Sequence, residues 1–144
     1  MDIRFENRSA FYVSGYSVET NESSHEKDIA LLREKHEDKL RSISKNGFGL
    51  YFVTWLTESN NYIYLFGIEK HDKTPIDEAA ACVKIPAANF AVATVPGGMP
   101  VLEAWAELFE TGLQSVGSAP NTEHGIYFEF FNEIGVCEIW VPVI

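Results

Sequence analysis

The sequence predicts an α+β fold: duplicated strand–helix–strand–strand units forming one curved antiparallel sheet, with two helices on one face and a ligand cleft on the other. Three observations lead there. The runs FGLYFVTWL and YIYLFGIEK are dense in aromatic and β-branched residues and are parted by the polar TESNN, the pattern of a hairpin. Two other stretches carry apolar residues at helical spacing. The order then repeats, and that repetition favours one antiparallel sheet with its helices gathered on one side. The halves also rhyme weakly: YFVTW at 51–55 with YFEFF at 127–131, and FYVSGY at 11–16 with FAVATV at 90–95. A duplication inside a single 1–144 domain is the preferred account, with pseudo-repeats at about 1–70 and 80–144.

Each element has its own warrant. AFYVSGYSV at 10–18 reads as a strand. Ser23 or Ser24 can cap the helix that follows, where Ile29, Leu32, Leu40 and Ile43 recur among charges. Asn46–Gly47 stops that helix. HDKTPIDEA at 71–79 is the linker between the units. ACVKIPAANFAVATV is a strand region interrupted near Pro86. Pro100 stands at the start of a second helix, with Val101, Leu102, Trp105, Leu108 and Phe109 on its apolar side. GIYFEFFNEIGVCEIWVPVI at 125–144 is the closing hairpin.

Composition narrows the function. A chain of 144 residues suits one domain with a real core. A net charge of −10 repels a phosphate backbone, so nucleic-acid binding by this domain is not expected. No apolar run nears the roughly 18 residues of a membrane span. The start MDIRFENRSAF lacks a signal pattern, and Cys82 and Cys137 form no short-spaced pair. A cytoplasmic protein with reduced thiols is therefore expected. His25, His36, His71 and His124 show no metal-ligand spacing. No phosphate-binding glycine loop or nucleophile elbow occurs either. The expectation is neither metal nor cofactor.

The closing hairpin carries the functional reading. Around an even-length turn centred on Glu133–Ile134, Glu129 faces Glu138 and Tyr127 faces Trp140, with Phe131 beside them; an odd-length turn breaks that register. Two carboxylates ~5 Å apart at an effective dielectric of ~20 repel by about 3 kcal/mol. A bound cation offsets that cost, as does a shared proton or intervening water. By the same even-turn register, Tyr51, Val53, Trp55, Tyr64 and Phe66 share a face in the first hairpin. Rings beside carboxylates suit a large organic cation. The candidate ligand-binding residues are Glu129, Glu138, Tyr127, Trp140, Phe131, Tyr51, Trp55, Tyr64 and Phe66. Trp105 reads as core, and Cys137 as an inert core thiol.

The second half resembles a known family. Val83 through Val92, Ala104–Trp105, Glu129–Phe131 and Glu138–Val143 resemble the effector-binding domain of bacterial transcription activators, also called the GyrI-like small-molecule-binding family. The resemblance implies a duplicated fold with a cleft between its halves, and organic, often cationic ligands met by a glutamate, here Glu129 or Glu138. Many relatives carry a DNA-binding domain in front; none fits ahead of this region, so a stand-alone member is expected. The leading reading is a binding module for lipophilic organic cations. The alternatives are a hydrolase of strained electrophiles using Glu129 and Glu138, as some relatives are, and a protein-binding accessory to a separate regulator or to gyrase. A sheet edge leaves a homo-oligomer open.

Overall fold

Eight strands pair antiparallel in the order β1-β6-β8-β7-β3-β4-β2-β5. They are β1 (Ile3–Arg8), β2 (Phe11–Thr20), β3 (Leu50–Leu56), β4 (Tyr62–Lys70), β5 (Ala81–Ile85), β6 (Ala88–Thr94), β7 (Tyr127–Phe131) and β8 (Cys137–Val143). Helix α1 (His25–Ile43) links β2 to β3. Helix α2 (Val101–Glu107) runs through a π-helical turn (Leu108–Gly112) into a last turn, α3 (Leu113–Ser115), before β7. The computed structural model describes residues 1–44, 49–132 and 135–144. The expected helix stop at Asn46–Gly47 and the turn centre at Glu133–Ile134 lie outside the described residues.

The connections force the sheet to curl. Only Ser9 and Ala10 join β1 to β2, which stand six strand spacings apart. Flat, that separation is roughly 29 Å, whereas the link reaches at most about 11 Å between Cα atoms. Pro86 and Ala87 impose the same condition on β5 and β6. Gly15 and Gly67 face each other in the β2–β4 ladder, and a Cβ on Gly15 would meet the Phe66 carbonyl oxygen at 1.9 Å. Only glycine permits that close approach. The Phe11 and Phe128 rings, three strands apart in the sheet, consequently touch edge to face at 5.7 Å.

Each face of the sheet has its own core. Helix α1 packs Leu32 and Leu40 onto Tyr16, Leu50, Phe52 and Phe66. Helix α2 and the turns after it pack Ala104, Leu108 and Leu113 onto Ala91, Ala93, Ile139 and Val141. Both helices lie on one face, as expected. Phe11, Tyr51, Phe90, Phe128 and Trp140 fill the curl from within.

Three expectations need correction. First, β1 was not anticipated; it pairs with β6, so each unit has an extra leading strand. Second, Ser24 is the N-cap residue of α1 but makes no side-chain cap bond. Asn21 Oδ1 instead accepts from the Ser23 and Ser24 amides. Third, both hairpin registers shift by one residue. Phe52 faces Phe66 and Thr54 faces Tyr64; Phe128 faces Trp140 and Glu129 faces Ile139. The loops explain it. Thr57 and Asn132 each close their hairpin against the residue four positions on, leaving three residues in the loop. The third of these, Asn60 (φ 62°) or Gly135 (φ 79°), is left-handed, the conformation a three-residue hairpin loop requires.

Candidate functional site

The register decides which side chains meet. On the helix-bearing face, Tyr127, Glu129 and Phe131 align with Thr54, Phe52 and Leu50. Glu138 and Trp140 turn to the opposite face with Phe130 and Phe128. The two glutamates therefore do not face each other, and the expected carboxylate pair is absent. The geometric basis for dividing acid and base between them goes with it. Tyr51, Val53 and Trp55 likewise lie on the face opposite Tyr64 and Phe66.

A hollow of about 420 Å3 opens on the helix-bearing face, between the start of α1 and the exposed side of α2. Its floor is the row Tyr64–Thr54–Tyr127 across β4, β3 and β7. Trp105 and Phe109 form a wall, stacked at 5.9 Å and 13°. Both rings meet Tyr127 edge to face. His25 sets its ring against Tyr64 at 5.5 Å. Tyr62, Leu56 and Leu102 complete the apolar lining, Trp55 borders it from the far side of β3, and Glu22 stands at the rim. Leu102 and Phe109 are exposed, because the side of α2 and of the π turn that carries them faces the hollow rather than the sheet. The π turn begins at Leu108, beside Phe109; such turns recur at functional sites.

Behind the wall sits Glu129, 8 % exposed. The Trp105 indole N–H donates to its Oε2 at 2.7 Å. Burial pushes this carboxyl up to about 7, opposed by the indole bond and the Arg33 charge. No ion pair reaches it among the described residues. The Tyr64 hydroxyl is raised by burial and then by the Glu129 charge. Burial likewise pushes up the Cys137 thiol, as suits an inert core group. A wider depression of about 960 Å3 lies beside Tyr51, Glu69, Lys70 and His71. Its charges of both signs face water, whereas the smaller hollow is walled by aromatic rings with Glu129 behind them.

Of the residues singled out by sequence, Tyr64, Tyr127 and Trp55 border the hollow, and Glu129 lies just behind it. Phe66 and Phe131 share that face but pack under α1. Glu138, Trp140 and Tyr51 lie on the other side of the sheet. There Glu138 pairs with Arg4 at 2.7 Å and accepts from the Trp140 indole at 3.3 Å. Sequence reasoning missed Thr54, Tyr62 and Phe109, and took Trp105 for core. One signal for Trp105 was available: a half-buried indole N–H seeks an acceptor, and Phe109 follows four residues later on the same helix face.

No group of three or more histidine, cysteine or acidic residues that could hold a metal occurs among the described residues. No helix is long and apolar enough to cross a membrane.

Known proteins share this architecture. The family described as integron-associated effector binding protein (Cass2) matches residues 4–143. The structure of SAV2435 bound to tetraphenylphosphonium superposes with a TM-score of 0.78 at 14 % identity, over 100 % of this chain and 94 % of that one. The integron cassette protein VCH_CASS2, from the mobile metagenome of Vibrio cholerae, gives 0.69 at 16 % identity, over 99 % and 95 %. The EcmrR C-terminal domain gives 0.62 at 12 % identity, over 99 % and 97 %. No curated protein sequence matches the chain.

Proposed function

The chain belongs to the integron-associated effector-binding protein family, and from that premise we propose that it binds lipophilic organic cations in the hollow between α1 and α2, with Glu129 as the counter-charge. The carrying observation is a sequestered carboxylate without an ion-pair partner among the described residues, set behind a wall of aromatic rings. Rings stack on flat or aryl-bearing molecules, and their faces attract positive charge. A buried carboxylate acts through low dielectric, so one such group counts for more than several at the surface. Stacking and charge demand little of ligand shape, which favours a range of related cations over a single one. That a protein of similar fold binds tetraphenylphosphonium supports the reading.

The test is a fluorescence titration with a cationic dye at pH 8, comparing wild type, Glu129→Gln and Glu138→Gln. The expected result is at least a tenfold loss for Glu129→Gln and less than about twofold for Glu138→Gln, whose carboxylate Arg4 already engages. Equal affinities in all three proteins would remove Glu129 from the site.

A further inference from the structure

Thr54 is out of keeping with its surroundings. It sits mid-strand in β3, on the floor of the hollow, between Tyr64 and Tyr127. Valine would fill the same volume in that apolar setting and suits a strand as well. Thr54 instead brings a hydroxyl that is buried and has no hydrogen-bond partner. The Tyr64 hydroxyl is near enough that the threonine acts to lower its pKa, yet the two lie outside hydrogen-bond geometry. The Trp105 N–H is already committed to Glu129. A buried polar atom left unpaired is costly, and this one lies on the floor of the hollow.

The position of Thr54 defines what could satisfy it. Thr54 is one same-face step along β3 from Phe52, which pairs with Glu129. Such a step is about 7 Å. A cation that reaches the hydroxyl therefore lies one such step along the sheet from the strand pair that carries the carboxylate. One staggered turn about χ1 exchanges the two branches of a threonine and re-aims its oxygen. With that carboxylate as the counter-charge the oxygen serves best as an acceptor, because a cation's N–H supplies the donor and the charge in one ligand.

We infer that the hollow selects organic cations bearing an N–H donor, protonated amines or amidines, over permanently charged cations without one, and that Thr54 Oγ1 accepts that N–H. This rests on the hollow being the cation site proposed above. A quaternary ammonium or tetraaryl cation meets the charge requirement and leaves the hydroxyl unpaired.

The test is a matched pair of ligands: chlorpromazine, protonated at pH 8, and its N-methyl quaternary salt. Isothermal titration measures both on wild type, Thr54→Val and Thr54→Ser. Wild type should prefer the protonated amine by about tenfold. Thr54→Val should abolish that preference by weakening the amine while leaving the quaternary salt unchanged or slightly tighter. Thr54→Ser, which keeps a hydroxyl, should retain the preference. The ratio of ratios cancels the steric effect of the added methyl. The same preference in wild type and Thr54→Val, with both ligands still binding, overturns the role of Thr54 and leaves the cation site standing. Failure of wild type to bind either ligand overturns both.

Discussion

The two faces of the sheet carry the same components and put them to different use. Each has a glutamate, a tryptophan whose indole donates to it, and a cluster of rings: Glu129 with Trp105 on the helix-bearing face, Glu138 with Trp140 on the other. On the helix-free face the protein supplies its own cations. Arg4 pairs with Glu138, and the Arg8 guanidinium lies 3.5 Å over the Phe11 ring and reaches Glu69 at 2.6 Å. On the helix-bearing face no ion pair reaches Glu129 among the described residues, and the rings line a space instead of a side chain. Aromatic rings beside a carboxylate therefore mark a cation-binding environment, but they do not say whether the chain fills it. Here β1 decides, because it carries both arginines onto one face only.

That contrast can be broken from either side. The largest effect is expected from Glu129→Gln on stability. Burial raises this carboxyl from the ordinary 4.5 to about 7, so the fold favours its protonated form. Stability from this group is greatest below about pH 4.5, declines as pH rises through 7, and then levels off. Glutamine lacks that penalty. The variant should gain up to about 3 kcal/mol over wild type at pH 8 and nothing at pH 4, as read by urea denaturation at both values. A gain independent of pH would mean that the carboxyl does not titrate as described.

Arg8→Ala should cost about 1–2 kcal/mol through lost ring contact more than through its exposed ion pair, while dye binding stays within about twofold. Arg8→Lys should recover only part of that loss, because an ammonium cannot lie flat on a ring. A large change in binding by Arg8→Ala would show that the two faces are coupled. The smallest effect is the pH dependence of binding. Affinity for a fixed-charge dye should fall as pH drops from 8 to 6 and Glu129 takes up its proton, and Glu129→Gln should flatten that dependence. A steep dependence that survives in the variant would point to another group.

Much of this arrangement could be read from residues alone. The strand runs and both helices lie where composition and periodicity put them, the break at Pro86 is real, and the resemblance to an effector-binding family holds. The faces were misassigned because side-chain alternation turns a one-residue error in a loop into an exchange of sides. Asn60 and Gly135, the left-handed third residues of their loops, were the available correction. Strand β1 escaped notice although Ile3–Arg8 alternates apolar and polar residues through most of its length. It has no hairpin neighbour, and its partner β6 lies some 80 residues away. The bond from Trp105 to Glu129 joins residues 24 apart, and no local pattern announces a tertiary contact of that kind.

The most direct measurement is a crystal structure of the complex with tetraphenylphosphonium. The cation is expected between Trp105, Phe109 and Tyr127, with its charge centre nearest Glu129 of all carboxylates. A cation seated instead on the helix-free face, beside Trp140 in place of Arg8, would contradict that expectation.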